Sequence, residues 1–344
     1  MKRVFLLLIF LLLSCAKEPP SPYRLYVPQF RLPDGLGRVW VYSVPDLRPL
    51  KNIPAGNVCA RLAVSPDGKE AWVSCEGSRD LLLIDCRSDS ALSRIPAGRT
   101  VQGGAFSPDG KLFAVSHSAV VAFQLKEAKV SLYRVEDRQR LVTLEVGEDP
   151  RSLVFSPDGL RLFVANLGEN TISVIDVPGR AVVEVHPTGP APHDLSLDPL
   201  GGELAVACLG LPGERARRQG ELVFHRLEDL SILRRFPAGR HPSRVHYLPD
   251  ASGFWLGEMG GPDSADDLLS FYPRGSEEAA RTLSIGRNPQ LGQISPDGRW
   301  MALTVAGGSE VLVLDLALEK VVARQKLPDS EQSRFAVDAA FVGN

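Results

Sequence analysis

The segment from Asp149 to Gly189 reads DPRSLVFSPDGLRLFVANLGENTISVIDVPGRAVVEVHPTG, and its pattern decides the fold. It contains four short apolar runs that are separated by turn-forming residues. Ser-Pro-Asp-Gly at 156–159 predicts a tight turn after the first run, because Pro presets φ, Asp bonds the local backbone and Gly accepts a positive φ. Residues 172–176 alternate apolar and polar, as a half-buried strand does. Four short strands in a unit of this length are typical of one propeller blade.

The same unit recurs through most of the chain. Ser-Pro-Asp-Gly occurs at 65–68, 107–110, 156–159 and 295–298, with degenerate copies at 198–201 and 249–253. A glycine stands nine residues before the first position of each copy, which is Leu248 for the copy at 249–253. These glycines are Gly56, Gly98, Gly147, Gly189, Gly239 and Gly286. No segment has a sustained 3.6-residue period. The sequence therefore predicts an all-β protein with very little helix.

The number of blades follows from two incomplete fragments. Six full units begin at residues 57, 99, 148, 190, 240 and 287. Residues 23–56 lack a first strand, and residues 334–341 read as such a strand. We therefore predict a seven-bladed β-propeller over residues 23–344, as a single domain. Blade 1 combines 23–56 with 334–344, so that the N- and C-terminal strands close the ring in one blade and leave no open edge there.

The fourth unit carries a family resemblance. Phe163-Val164-Ala165-Asn166 lies where YVTN-type repeats have Tyr-Val-Thr-Asn, and the chain resembles YncE-like seven-bladed propellers. The resemblance is specific for fold and implies little about function. Similar propellers house haem d1 or act as lactonases or amine dehydrogenase subunits. It therefore leaves a cofactor-dependent or catalytic role, at the mouth of the central channel, as an alternative to a non-enzymatic binding or scaffold role.

The first residues read as an export and anchoring signal. Lys2 and Arg3 precede an apolar run at 4–13, which is too short for a membrane-spanning helix of about 20 residues. Leu12-Leu13-Ser14-Cys15 resembles a bacterial lipobox. The resemblance implies that residues 1–14 are a cleaved signal peptide and that Cys15 carries the lipid anchor. Residues 15–22 then form a lipidated, Pro-rich tether.

These features predict the location and the class of partner. We expect a monomer, lipid-anchored in a bacterial cell envelope and facing the periplasm or the outside. Because residue 16 is Ala rather than Asp, the outer membrane is favoured if the host has one. The 39 basic and 41 acidic residues give a net charge of −2, which disfavours nucleic-acid binding. The expected partners are the membrane, through the anchor, and an unidentified envelope protein or small ligand.

One face of the propeller is predicted to carry the binding site. The Ser-Pro-Asp-Gly turns are short and uniform, whereas the opposite loops vary in length, and variable loops on rigid scaffolds often bind ligands. Residues just after each blade link should line the mouth of the channel, where they can bind an anion or a small polar ligand. They are Arg61, Gln102, Arg151, His193, Asp194, His241, Arg244 and Gln290.

Two long loops on this face have opposite charge. The 209–220 loop is basic and the 258–267 loop is acidic. Two interpretations remain open: the charges keep neighbouring loops soluble and loosely paired, or they form a docking rim for a charged partner. The residues concerned are Arg215, Arg217, Arg218, Glu258, Asp263, Asp266 and Asp267.

Sequence motifs for catalysis and metal binding are missing. HExxH, CxxCH and paired CxxC do not occur, nor do a nucleophile elbow or a P-loop, so we predict no catalytic residue, no metal and no cofactor. His193 and His241 stand in similar parts of neighbouring units. They leave a haem d1-type group or a metal at this pair as a weaker alternative.

The cysteines predict one disulfide. Pairing across the 65–68 turn places Cys59 opposite residue 74 or 75, which favours a Cys59–Cys75 bridge in an oxidising compartment. Cys75–Cys86 is the less favoured pairing, because the 76–80 loop would place residue 75 opposite about residue 81. Cys208 is expected to be a buried thiol.

Overall fold

The computed structural model describes most of the chain from residue 21 onward. The described ranges are 21–29, 35, 37–118, 128–210, 219–258, 267–286, 289–305, 309–328 and 338–343. These ranges contain strands, turns and bends but no helix, and hence no apolar helix of membrane-spanning length. The predicted signal peptide and Cys15 lie outside them.

The strands form seven antiparallel sheets of four strands each, which are the blades of a propeller. In chain order they are β1 (Tyr23–Gln29), β2 (Arg38–Ser43), β3 (Pro49–Pro54), β4 (Cys59–Val64), β5 (Glu70–Cys75), β6 (Asp80–Asp85), β7 (Ser90–Pro96), β8 (Val101–Phe106), β9 (Leu112–His117), β10 (Lys129–Arg134), β11 (Arg140–Glu145), β12 (Pro150–Phe155), β13 (Arg161–Asn166), β14 (Thr171–Asp176), β15 (Ala181–Pro187), β16 (Pro192–Leu197), β17 (Glu203–Cys208), β18 (Gln219–Arg226), β19 (Ile232–Arg240), β20 (Pro242–Tyr247), β21 (Gly253–Glu258), β22 (Asp267–Pro273), β23 (Arg281–Gly286), β24 (Pro289–Ile294), β25 (Trp300–Val305), β26 (Glu310–Asp315), β27 (Lys320–Lys326) and β28 (Ala340–Gly343).

The two ends of the chain share blade 1, whose strand order is β28-β1-β2-β3. The antiparallel pairing of β28 with β1 runs from Tyr23↔Gly343 to Tyr26↔Ala340. The predicted seven-bladed propeller with this closure is therefore confirmed. The described inner strand begins at Ala340, and residues 334–337 of the predicted strand lie outside the described residues. Blades 2 to 7 follow in sequence order, each running from its inner to its outer strand (β4–β7, β8–β11, β12–β15, β16–β19, β20–β23 and β24–β27).

The apolar core is divided among the seams between blades. Seven clusters of buried residues occur, and each one joins side chains of two neighbouring blades. Tyr26 of blade 1 packs with Leu62 of blade 2, and Leu25 of blade 1 packs with Trp300 of blade 7. Outer strands such as β7 are largely exposed. Each blade is thus stabilised on both faces only because the ring is complete.

The repeated turn has a constant hydrogen-bond pattern. In the first copy the Ser65 hydroxyl donates to Asp67 Oδ1 (2.7 Å) and accepts from the Glu70 amide (3.0 Å), while Lys69 N–H donates to Asp67 Oδ1 (3.1 Å). Gly68 has a φ of 69°. The Lys69 ammonium also donates to Asp67 Oδ2 (2.7 Å), and this bond, followed by the one from Ser65, lowers the pKa of Asp67 to about 2. The recurring aspartates are therefore turn formers.

Ring closure predicts a large effect of a small truncation. A chain that ends at residue 330 lacks the buried residues Ala340, Phe341 and Val342 and leaves β1 without its inner partner. We expect its free energy of unfolding to fall by at least about 3 kcal/mol, the lower range for losing one buried Phe. Thermal and urea denaturation measure the loss, and a chain that ends at Gly343 is the control. Equal stability of the two truncated chains would contradict the closure.

The turn glycine gives a second prediction. A Cβ at Gly68 would meet no atom within 4 Å, so Gly68→Ala tests only the cost of its left-handed backbone. We expect a loss of about 1–2 kcal/mol. Gly202→Ala is the matched control, because its φ is not left-handed and its Cβ would lie 3.7 Å from Asp198 Oδ2, an ordinary contact. Urea denaturation should show that Gly202→Ala keeps or slightly raises stability; equal losses would refute the assignment.

Candidate functional site

The links between blades lie on the same face as the loops between second and third strands. In blades 2 to 6, the link residue just before the inner strand has a positive φ. In blades 2 to 5, its carbonyl accepts the amide that follows the second strand. The pairs are Val58 with Glu76 (3.0 Å), Thr100 with Ser118 (2.7 Å), Asp149 with Leu167 (3.1 Å) and Ala191 with Leu209 (3.0 Å). These bonds fix the point at which each inner strand enters the channel.

One position on the inner strands bridges neighbouring blades. It lies four residues before the first residue of the turn and is occupied, from blade 1 to blade 7, by Asp338, Arg61, Gly103, Ser152, Asp194, Arg244 and Leu291. Its short polar side chains accept a backbone N–H from the next blade. Asp338 Oδ2 accepts from Leu62 N (3.1 Å), Ser152 Oγ from Leu195 N (3.3 Å), and Asp194 Oδ2 from Val245 N (3.1 Å).

A β-bulge lies at this position in several blades. The register shifts between Cys59 and Arg61, between Pro192 and Asp194, and between Pro242 and Arg244. A bulge turns a side chain away from its regular direction, and bulges are common beside functional sites. Arg61, Asp194 and Arg244 therefore depend on an irregularity for their direction.

Asp194 and Arg244 form an almost buried ion pair. Arg244 Nη1 donates to Asp194 Oδ1 at 3.3 Å, and the two side chains are 12% and 4% exposed. Burial raises the pKa of Asp194 to about 7, against the hydrogen bonds from Val245 and Ser152 and the charge of Arg61, which lower it. The carboxylate is thus desolvated despite its partners.

Asp338 and Arg61 occupy the equivalent positions in blades 1 and 2 and interact electrostatically. Burial raises the pKa of Asp338 to about 6, against the charge of Arg61 and the backbone N–H of Leu62. Burial also lowers the pKa of Arg61, and the charges of Asp338 and Asp194 offset that effect. Since Arg61 is in blade 2 and Asp194 in blade 5, their interaction crosses the channel.

Arg151 and His193 occupy the preceding position in blades 4 and 5. Arg151 donates to Gln102 Oε1 (3.3 Å) and to Asp149 Oδ2 (2.9 Å), and Asp149 also accepts from the Ser118 hydroxyl. His193 Nδ1 lies 2.7 Å from the Ser243 carbonyl, which assigns a proton to Nδ1 because a carbonyl only accepts.

The electrostatic surroundings keep His193 neutral. Burial and, to a smaller extent, the neighbouring charges of Arg151 and Arg61 lower its pKa to about 3. His193 therefore adds no positive charge to the channel near neutral pH.

We call six of these residues the axial cluster: Arg61, Arg151, His193, Asp194, Arg244 and Asp338. Five of them were predicted from the sequence, and the structure brings them together with Gln102 as their neighbour. Gln290 of blade 7 is buried at the position equivalent to Arg151 and His193.

Sequence reasoning missed two residues of this region. Asp338 was overlooked because the last fragment has no Ser-Pro-Asp-Gly turn, although Val342 stands in the place of its serine and Asp338 is four residues earlier. His246 follows Arg244 by two residues on β20. Burial lowers its pKa to about 4, against a backbone hydrogen bond with Gly292, and the charge of Arg61 adds to the effect.

The expected equivalence of His193 and His241 was wrong. His241 is a link residue with a φ of 47°, equivalent to Ala191, whereas His193 is on an inner strand and is equivalent to Ser243. Within the described ranges, no group of three or more His, Cys, Asp or Glu side chains is arranged to hold a metal ion.

Glu258, which was predicted to belong to the acidic loop, lies in a strand instead. Glu258 is the last residue of β21, is 7% exposed, and accepts a hydrogen bond from the Ser270 hydroxyl at 3.0 Å. It is therefore a buried strand residue rather than part of a docking rim, because the strand extends further than the repeat suggested. Arg215, Arg217, Arg218, Asp263 and Asp266 lie outside the described residues, as does the side chain of Asp267.

A disulfide fixes the entry of the inner strand in blade 2. Cys59 and Cys75 are directly paired in the sheet, with an S–S distance of 2.02 Å. Cys86 and Cys208 are free and buried, and burial raises the pKa of both thiols. The Cys75–Cys86 alternative is therefore not the pairing found.

No family model and no curated protein matches the chain. Solved structures do match. A hydrazine synthase structure from Kuenenia stuttgartiensis is 18% identical, with a TM-score of 0.65 over 83% of this chain and 86% of that one. A functionally unknown protein from Desulfotomaculum acetoxidans is 14% identical, with a TM-score of 0.72 over 94% of this chain and 99% of that one. At these identities the likeness shows the propeller fold alone.

Proposed function

We propose that the chain is a lipid-anchored envelope protein whose propeller binds a small polar ligand at the mouth of its channel without catalysing a reaction. We assign its repeats to the YVTN type. This assignment is supported by the YVTN-like segment Phe163–Asn166 and by the constant spacing of the turns. The anchor is supported by the lipobox-like Leu12-Leu13-Ser14-Cys15. The binding role is supported by the axial cluster.

The observation that carries this proposal is the preorganisation of the axial cluster. Its aspartates are held by backbone N–H groups of the next blade, and Arg151 is held by Gln102 and Asp149. Groups fixed in this way lose little conformational entropy when a ligand binds.

The same geometry favours binding over chemistry. His193 donates to a backbone carbonyl, and burial followed by the charges of Arg151 and Arg61 lowers its pKa. Like charge beside His193 disfavours a metal cation there, so we propose neither a metal nor a haem d1-type group at this histidine.

Ligand screening with mapped protection tests the binding role. We expect a thermal-shift screen of the full chain against small envelope metabolites to yield a ligand. That ligand should slow hydrogen exchange in β16 and β20 while leaving the outer strands β15 and β19 unchanged. Hydrogen-exchange mass spectrometry measures both. Protection restricted to outer strands or to the Ser-Pro-Asp-Gly turns would refute a channel site.

The anchor has its own test. When the gene is expressed in a bacterial host with labelled palmitate, the wild-type chain should incorporate label and lose residues 1–14. Cys15→Ser should incorporate none, because the acceptor thiol is gone, and intact-mass spectrometry should show the missing lipid mass. Ser14→Ala is the matched control, since it keeps a small residue before the cysteine. Equal labelling of Cys15→Ser and the wild type would exclude lipidation at this site.

A further inference from the structure

The three arginines of the axial cluster come from alternate blades. Arg61 is in blade 2, Arg151 in blade 4 and Arg244 in blade 6, so that they surround the channel rather than lining one side. Arg61 interacts electrostatically with Arg151 as well as with Asp194. The three guanidinium groups therefore lie around the same channel, and the repulsion between Arg61 and Arg151 has to be offset.

Some of their donor atoms are left without a protein acceptor. Nε and Nη2 of Arg244 and Nε of Arg151 are buried and make no hydrogen bond within the described part of the chain. Guanidinium N–H groups recognise carboxylate and phosphate oxygens through paired hydrogen bonds. The donors that remain are thus suited to an anion.

The offsetting charge comes from within the protein. Asp194 pairs with Arg244, Asp149 pairs with Arg151, and Asp338 interacts with Arg61. With all three carboxylates ionised, the three arginines are neutralised. An entering anion would then compete with the buried carboxylates at 194 and 338 for the same guanidinium groups.

We propose that the axial cluster is a proton-linked site for a small oxyanion, in which Arg61, Arg151 and Arg244 bind the anion while Asp194 and Asp338 take up protons. The inference rests on the proposed binding function and names its ligand class. The shared chemistry is a compact anion with several oxygens, such as a phosphate or a dicarboxylate.

The groups around the two carboxylates set the sign of the pH dependence. Asp194 faces Arg244 on β20, Arg61 on β4 and Ser152 on β12, and Asp338 faces Arg61 and the Leu62 amide. Their raised pKa values, about 7 and about 6, mean that both protonate as pH falls from about 8 to about 5. Protonation removes the competing negative charge and strengthens anion binding.

The two histidines nearby do not alter this sign. His193 and His246 have pKa values lowered to about 3 and about 4, so both remain neutral over the same pH interval. The change in charge is therefore assigned to the carboxylates.

Sulfate is the first probe, because its charge is constant over this interval. Calorimetry with the full chain should show sulfate binding at least about tenfold tighter at pH near 5.5 than at pH near 8, because the charges of both Asp194 and Asp338 are largely removed. At pH near 8, competition with sulfate by phosphate alone or by succinate alone distinguishes the two sources of oxyanion. Absence of sulfate binding at both pH values would contradict an oxyanion site.

Substitutions separate the roles of the two residue types. Asp194→Asn keeps the shape and an acceptor for Val245 N–H but removes the charge, so near pH 8 it should bind sulfate several-fold tighter than the wild type does at the same pH. It should keep only the part of the pH dependence that comes from Asp338. Arg244→Gln should abolish binding. Arg235→Gln is the matched control, because Arg235 forms an exposed ion pair with Glu221 on blade 5, away from the channel, and should leave the affinity unchanged.

Folding and binding are kept apart by a double variant. Arg244→Gln alone leaves Asp194 buried without its partner. The double variant Arg244→Gln/Asp194→Asn removes both charges and is therefore measured beside it. Thermal denaturation confirms that each variant is folded. A folded double variant that still binds sulfate would overturn the proposal. If the wild type binds no oxyanion while the screen finds a neutral ligand in the channel, this inference fails and the proposed binding function stands.

Discussion

The structure depends on one constraint: a blade has two apolar faces, and both must be covered by neighbours. A single four-stranded sheet cannot satisfy this constraint, and neither can an open row of sheets, which leaves one face bare at each end. The seven seams satisfy it in a circle. Four residues of β28 complete the last two seams, since Val342 packs towards blade 2 and Phe341 towards blade 7.

The closed ring also determines what the channel can do. Because both faces of each blade are packed, an inner strand cannot move aside to let solvent relax a charge beside it. The charged residues of the axial cluster are instead held by neighbours in the ring, as Asp338 is by the Leu62 amide across the closing seam. A polar site built on such strands is more exactly positioned than one built on loops.

The sequence was sufficient to predict the structural features that follow from the repeat. The turn frame predicted the seven blades, the left-handed glycine exemplified by Gly68 and a register that places Cys59 opposite residue 74 or 75, which is Cys75 in the structure. It failed where a blade departs from the frame. Asp338 follows no recognisable link, and Glu258 extends a strand into an expected loop. The supposed equivalence of His193 and His241 failed as well, because a bulge follows the first residue of each of these inner strands. A bulge inserts one extra residue into a strand, and the alternation of apolar and polar residues in the sequence does not reveal where it lies.

The charges at positions 194 and 338 require an explanation beyond stability. Ser152 stands at the equivalent place in blade 4 and makes the same hydrogen bond to the next blade, from Leu195 N, without any charge. The structural bond therefore does not need a carboxylate. A buried ion pair is a weak source of stability, because desolvation of both groups offsets most of their attraction. Burying aspartate at these two positions costs more free energy than burying serine for the same bond. That excess is explained if the carboxylates balance the charges of the arginines until an anion binds to the arginines and protons neutralise the carboxylates.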